Sequence, residues 1–219
     1  MTRSINVKTF LLALSVVFVF AACSSKDEIS TEYNKPAIYW YNKMINQISF
    51  GDIDLADDTY TSLESEHRNS PLIPTAILIL VNAHIDAEEY ALANFYLDEY
   101  IKRFTLSKNI DYARYLKIKA NFLGFKYQNR DQKLINETIE DIKDFKIRYS
   151  SSAYIPLVDT MNARLYMAKA LLDEEIANLY EKKGKEEAAK IYRQRVKNSW
   201  IDPENIVPVE VPFYRAIFE

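Results

Sequence analysis

Apolar residues recur at three- and four-residue spacing from about residue 35 to residue 199, and short polar turns interrupt this pattern at regular intervals. Such a period is typical of amphipathic helices, and the turns divide the region into helices that follow one another in twos. The predicted pairs are 35–49 with 53–66, 73–88 with 90–104, two helices between Asn109 and Tyr149 that turn near 129–131, and 153–183 with 185–199.

The second helices of the first two pairs share one spacing of large and small side chains. Ala56 and Ala93 are the small members, and each lies between larger residues at three- and four-residue steps. A small residue in that place lets a helix approach its partner closely. The fold class predicted from this repeat is all-α, a tetratricopeptide-like right-handed stack of about four antiparallel helix pairs. Alanine and leucine at helical spacing would also form the core of an ordinary helical bundle, so that alternative stays open.

The last twenty residues have a different character. Prolines at 203, 208 and 212 interrupt an apolar stretch, which therefore cannot be helical throughout. We predict an extended C-terminal tail over 200–219 that packs along the last repeat or docks on a partner. Packing on its own domain is the favoured alternative, because an apolar tail is seldom left in solvent.

The N-terminus has the pattern of a bacterial lipoprotein signal. Arg3 and Lys8 precede an apolar run that is too short to span a bilayer comfortably, and small residues lead to Cys23, the single cysteine of the chain. We expect a signal peptide over 1–22, covalent lipid on Cys23 and a polar tether over 23–34. Ser24, directly after the cysteine, favours the outer membrane. The alternatives are an ordinary cleaved signal and an uncleaved anchor helix.

Composition agrees with a helical, exported chain. Only three of 219 residues are glycine, so β-hairpins and phosphate-binding loops are improbable, whereas sixteen are tyrosine, which suits packed helical repeats. The net charge of −3 is spread without a basic cluster, which argues against nucleic acid as a partner. A lone cysteine excludes an intramolecular disulfide.

Candidate catalytic groups are few. His67 and His84 have no second histidine at metal-ligand spacing, and neighbouring carboxylates such as Asp57 and Asp58 point in different directions on a helix. The run 182–185 has one glycine and lacks a phosphate-loop pattern. We therefore expect no metal, no cofactor and no enzyme activity, and a periplasmic hydrolase is the least favoured class.

Beyond the lipoprotein signal, four stretches of the chain resemble the BamD family, lipoproteins of the β-barrel assembly machinery in the Gram-negative outer membrane. They are Phe50-Gly51-Asp52 with Ala56 and Leu63; Tyr100 to Phe104 with Asn109 to Tyr115; Arg130-Asp131 with Tyr149, Ser152 and Tyr154; and Glu174 to Gly184 with Ala188, Ala189 and Arg193. The chain departs from the family at its C-terminus, where the tail stands in the place of the fifth repeat that the family commonly has. Thr105-Leu106 and Ser150-Ser151 also lack the proline that often follows the second helices.

The resemblance implies a scaffold without catalysis, lipid-anchored to the outer membrane and facing the periplasm. Its implied partners are the central barrel subunit (BamA-like), unfolded outer-membrane proteins and other lipoproteins of the complex. Tyr39, Trp40, Tyr41 and Tyr60 are candidate contacts for an unfolded substrate peptide, with packing between repeats as the alternative. Arg193 is the candidate contact to the barrel subunit. The alternative function is that of another repeat lipoprotein, such as a secretin pilotin or a cell-wall-associated adaptor.

Overall fold

Eight α-helices make up the regular secondary structure of the residues that the structure, a computed structural model, describes: 32–124, 132–199 and 201. We number them α1 (Ala37–Phe50), α2 (Ile53–Glu66), α3 (Ile73–Asp86), α4 (Tyr90–Arg103), α5 (Ile110–Leu123), α6 (Gln132–Arg148), α7 (Ile155–Lys182) and α8 (Glu186–Asn198). The chain divides into residues 1–35 and a second unit that starts at Pro36 and contains all eight of these helices.

Successive helices pack as antiparallel pairs, α1 with α2, α3 with α4, α5 with α6 and α7 with α8. Each pair also contacts the next, and the first helices of neighbouring pairs touch, α1 against α3 and α5 against α7. This arrangement is that of tetratricopeptide-like repeats, in which each unit buries its apolar face against its neighbours. The all-α, tetratricopeptide-like fold predicted from the sequence is confirmed.

The turns within the first, second and fourth pairs each place one residue in the left-handed region. Gly51 has a φ of +85° and ends α1, where its N–H and that of Asp52 bond to carbonyls of the last helical turn. Gly184 does the same after α7, with a φ of +68°. Between α3 and α4 this conformation falls on Glu88, with a φ of +62°. The third helix therefore ends at Asp86, two residues before its predicted end.

Connections between the pairs repeat one hydrogen-bond pattern around Ser70, Ser107 and Ser152. Each serine N–H bonds to the carbonyl three residues earlier, at 2.8 to 2.9 Å, and each serine carbonyl accepts from the isoleucine N–H that starts the next helix. Each serine Oγ also accepts from the N–H two residues later, at 3.2 to 3.3 Å. The same local geometry thus begins α3, α5 and α7.

Most of the buried apolar side chains form two core clusters that meet at α5. The first spans α1 to α5, and its largest fully buried members include Tyr60 and Tyr100. The second spans α5 to α7 and includes Phe145 and Leu165. Tyr115 on α5 packs against both clusters, so this helix joins the first half of the repeat unit to the second.

Several predicted segments lie outside the described residues: the signal peptide and Cys23, the turn near 129–131, and most of the C-terminal tail. In the part of the chain that the structure covers, no helix combines the length and the hydropathy that crossing a bilayer requires.

Candidate functional surfaces

The aromatic residues predicted to contact a substrate peptide divide into buried and partly exposed members. Trp40 is 3% exposed, and its indole N–H donates to Glu66 Oε2 at 2.8 Å. Tyr60 is 2% exposed, and its hydroxyl donates to Glu99 at 3.1 Å. Both side chains pack between helices, as the alternative reading expected, and they do not present a ring face to solvent.

Tyr39 and Tyr41 leave part of their rings accessible. Tyr39 is 36% exposed and lies edge-on to the Trp40 ring, with centroids 5.4 Å apart. Tyr41 is half-buried against the first core cluster. A role of these two side chains in peptide contact stays a prediction, and of the four candidates they are the accessible pair.

A polar seam that the sequence analysis did not foresee lies between the first two pairs, at His84. This side chain is fully buried, with Nδ1 2.7 Å from Glu89 Oε2 and Nε2 3.0 Å from Asp57 Oδ1. A carboxylate accepts hydrogen bonds and does not donate them, so both contacts are satisfied when both ring nitrogens carry a proton. The Tyr96 ring stacks on the imidazole at 5.5 Å, and its hydroxyl donates to Asp57 at 2.8 Å.

The seam continues along α2 and α4 through Arg103. Its guanidinium donates to Glu64 on α2 and to Glu99 on α4. Burial lowers the pKa of Arg103, but these two carboxylates outweigh burial and raise it overall. Burial, reinforced by Glu99, raises the pKa of the Tyr60 hydroxyl, which therefore remains a neutral donor. The seam fixes the two pairs relative to each other, and His84 within it is closed to solvent.

Three stacked tyrosines join the second half of the repeat unit to the first. Tyr115 and Tyr154 lie face to face, with centroids 4.7 Å apart and planes inclined by 11°. Tyr112 lies 5.3 Å from the Tyr154 ring, and its hydroxyl donates to Asn82 on α3 at 3.3 Å. Burial raises the pKa of Tyr115. This stack is partly exposed and explains part of the high tyrosine content.

A shallow groove of about 490 Å³ lies between the second and third pairs. Tyr90, Leu92 and Ala120 give it a mainly apolar lining, and Asn94 and Asn121 add an amide pair in which the Asn94 amide donates to Asn121 Oδ1 at 2.8 Å. Side-chain amides beside an apolar surface suit contact with an extended polypeptide, whose backbone both donates and accepts.

Arg193, predicted to contact the barrel subunit, lies 38% exposed on α8 and is engaged with α7. Its guanidinium donates to both carboxylate oxygens of Glu181, at 2.6 and 3.3 Å, and to Asn178 Oδ1 at 3.1 Å. The hydrogen bond from Arg193 lowers the pKa of Glu181, and Glu174 lies 3.8 Å from the guanidinium. Arg193 therefore presents a surface ion pair, and its contact with a partner stays a prediction.

Cys23, the predicted lipid attachment site, precedes the described residues, so its lipidation also stays a prediction. Within the described ranges, no group of three or more histidine, cysteine, aspartate or glutamate side chains is arranged to hold a metal ion.

Comparison with known proteins gives consistent matches. The profile of the YfiO family, described as outer membrane lipoprotein, matches residues 33–205. An outer membrane protein assembly factor BamD from Helicobacter pylori (strain ATCC 700392 / 26695) is 38% identical over 213 residues, which cover 97% of each chain. Another protein of that name, from Caulobacter vibrioides (strain ATCC 19089 / CIP 103742 / CB 15), is 26% identical over 153 residues, which cover 69% of this chain and 49% of its own length.

These matches cover most of the chain, and they confirm the resemblance that the repeat residues indicated. Because the family is one of assembly factors without enzymatic activity, the prediction that the chain is not an enzyme is confirmed as well. The chain therefore belongs to the YfiO family of outer membrane lipoproteins, which includes the BamD assembly factors.

Proposed function

We propose that the chain is a scaffold of outer-membrane protein assembly, anchored by lipid on Cys23 and facing the periplasm. In this role it binds the central barrel subunit and helps to receive and insert unfolded outer-membrane proteins. The observation that carries the proposal is the 38% identity, over nearly the full length, to an outer membrane protein assembly factor. The repeat fold supports it, because stacked helix pairs offer several neighbouring surfaces to other polypeptides.

Affinity purification after gentle solubilisation of membranes tests the central claim. The barrel subunit is expected to co-purify with the full chain, and its absence would overturn the proposal. Depletion of the chain should lower the level of porins in the membrane. Loss of secretin assembly with normal porin levels would instead support a pilotin-like adaptor.

The anchor is tested by Cys23→Ser. This variant should accumulate as an unprocessed or soluble form, because the thiol that accepts the lipid is missing. Membrane fractionation checks the outcome. An unchanged membrane fraction would contradict lipid attachment at Cys23 and leave the assembly role to be judged by co-purification.

The partner contact is assigned to the last pair, at Arg193. Reversal to glutamate places a negative charge where the partner would meet a positive one, and an uncompensated interfacial charge costs roughly 2 to 5 kcal/mol. Arg193→Glu also breaks the internal pair with Glu181, so Glu181→Ala is the matched control. We expect co-purification of the barrel subunit to fall for Arg193→Glu and to persist for Glu181→Ala. Equal loss in both variants would reduce Arg193 to a structural role.

Substrate contact is assigned to the accessible aromatic surface of α1 and to the groove beside Tyr90 and Asn94. A photo-crosslinking residue in place of Tyr39 should capture an unfolded outer-membrane protein during its assembly. The same residue in place of Phe50, which is 76% exposed at the end of α1, is the control. Crosslinks of equal yield at both positions would remove Tyr39 from the substrate surface.

A further inference from the structure

The three connections between helix pairs, 67–72, 104–109 and 149–154, lie side by side along one edge of the repeat unit, which we call the connection edge. Arg103, at the end of α4, donates to the carbonyl of Arg68 in the first connection at 3.3 Å. Ser152 in the third connection donates to Asp111, directly after the second, at 2.7 Å. These contacts join the three connections into one continuous edge.

The charge of the connection edge is one-sided. Its three connections contain Arg68 and Lys108 but no aspartate or glutamate, and the last turn of α4 adds Lys102. Arg103 beside it is paired with Glu64 and Glu99 and adds no uncompensated charge. Arg68, Lys102 and Lys108 are exposed, and they form no ion pair within the described part of the chain. The turns at the other end of the first two pairs, 51–52 and 87–89, contain only acidic charged residues.

Leu106 lies in the middle of this basic stretch and is 99% exposed. Its equivalents in the other two connections, one residue before the repeated serine, are the polar residues Asn69 and Ser151. Because the backbone pattern forms with asparagine or serine at this position, the local fold does not require a leucine. Ile147 is also exposed, at 78%, beside the third connection, but its neighbours Lys146 and Arg148 are paired with Asp159 and Asp144. Among the described residues of this edge, Leu106 is therefore the exposed aliphatic side chain that lies among unpaired cations.

We propose that the connection edge rests on an anionic phospholipid surface, with Leu106 inserted among the acyl chains and Lys102, Lys108 and Arg68 at the headgroup phosphates. An aliphatic side chain that projects alone between cations fits a lipid interface, where apolar insertion and attraction to anionic headgroups act together. The buried core of a stable protein interface is apolar and well packed, whereas the residues on either side of Leu106, Thr105 and Ser107, are polar. The inference rests on the proposed function, because the lipid on Cys23 would hold the chain at the membrane.

The test places an environment-sensitive fluorophore on the lipidated full chain through Leu106→Cys, after reconstitution into vesicles of phosphatidylethanolamine and phosphatidylglycerol. The lipid on Cys23 blocks its thiol, so the fluorophore should react only at position 106. Treatment of the unsubstituted chain with the same fluorophore verifies this, because that chain should remain unlabelled. We expect a blue-shifted emission that spin-labelled acyl chains quench. The matched control is Leu55→Cys, 52% exposed in the first turn of α2 at the acidic end, where quenching should be absent.

Charge reversal in Lys102→Glu with Lys108→Glu should reduce the quenched fraction severalfold, and added salt should reduce it in the parent chain. Absence of quenching at position 106, or equal quenching in vesicles of neutral phosphatidylcholine, would overturn the proposal. A fluorescence change that needs the barrel subunit rather than lipid would also overturn it and identify a protein docking surface. Co-purification of the barrel subunit should survive Leu106→Asn, so failure of the lipid contact and failure of the assembly role are separable.

Discussion

The Ser152 hydroxyl donates a 2.7 Å hydrogen bond to Asp111 Oδ2, which joins the start of α7 to the start of α5. The other oxygen of Asp111 accepts from the Tyr112 N–H at 2.8 Å. Ser152 Oγ also accepts from the N–H of Tyr154, so one side chain both shapes its own connection and holds it against α5. These two hydrogen bonds distinguish Ser152 from Ser151 beside it, which is exposed.

Ser152→Ala is expected to lower the free energy of unfolding by about 1 to 2 kcal/mol, because Asp111 loses a donor and the connection loses its acceptor. Chemical denaturation monitored by circular dichroism measures the change. Ser151→Ala is the matched control and should stay within about 0.5 kcal/mol of the parent chain. Equal effects of the two substitutions would contradict the assigned role of Ser152.

His84→Gln is expected to destabilise the chain by about 1 to 3 kcal/mol, because one amide cannot replace both ring contacts to Asp57 and Glu89. Because His84 is fully buried, the substitution leaves the exposed surface of the protein unchanged. Denaturation of His84→Gln, Asp57→Asn and the double variant gives the coupling between the two side chains. His67→Gln, at a partly exposed ring, serves as control. Additive effects at 84 and 57 would show that the 3.0 Å contact contributes no stability.

Gly51→Ala is expected to cost about 1 to 2 kcal/mol, because alanine is disfavoured at a φ of +85°. A Cβ at this position would meet no atom within 4 Å, so the cost comes from the backbone alone. Gly51→Asn should cost less, since asparagine tolerates the left-handed region better. Urea unfolding of both variants checks the order, and a smaller loss for alanine than for asparagine would refute this account.

Asp173→Asn is expected to raise the thermal midpoint at neutral pH. Burial raises the pKa of Asp173, although the positive charges of Arg195 and Lys169 act in the opposite direction. The charged carboxylate therefore lowers the free energy of unfolding. The folded state binds the proton at a higher pH than the unfolded state does. This group's contribution therefore falls as pH rises through that window, and the advantage of asparagine should shrink on acidification.

Glu181→Gln provides the opposite signature. Arg193 lowers the pKa of Glu181, so this carboxylate stabilises the fold above its unfolded pKa and the contribution disappears as pH falls. Thermal midpoints recorded from neutral to about pH 3 distinguish the two cases. A constant difference between Asp173→Asn and the parent chain across this range would contradict the assignment.

Much of the fold could be predicted from the sequence because helical periodicity and turn residues are local signals. Pro156 falls in the first turn of α7, and Gly51 and Gly184 lie just past helix ends, which are positions where these residue types are typical. The end of α3 was misplaced because a glutamate, Glu88, takes the left-handed conformation that usually marks glycine. The serines of the connections were also a readable signal, since each precedes the first isoleucine of a helix by three residues.

The candidate site was less predictable because it depends on contacts between distant segments. His84 follows Val81 and Leu80 at helical spacing, which is typical of an inward position, but its partners Asp57 and Glu89 could be identified only from packing. Trp40 shows the reverse case: its neighbours suggested an aromatic contact surface, whereas the hydrogen bond to Glu66 anchors it between helices. Sequence patterns give the exposure of a helix face more readily than the role of one side chain on it.

Helix α5 contributes to both buried clusters, with Leu116 in the first and Ile118 in the second. If either cluster loses its packing, one face of this shared helix becomes exposed to solvent. Repeat proteins whose units meet only their neighbours can melt progressively from an end, whereas a central helix common to two cores ties their melting together. The region from α1 to the first half of α7 should therefore resist digestion as one body, and a protease that cuts within α5 would unfold both clusters at once.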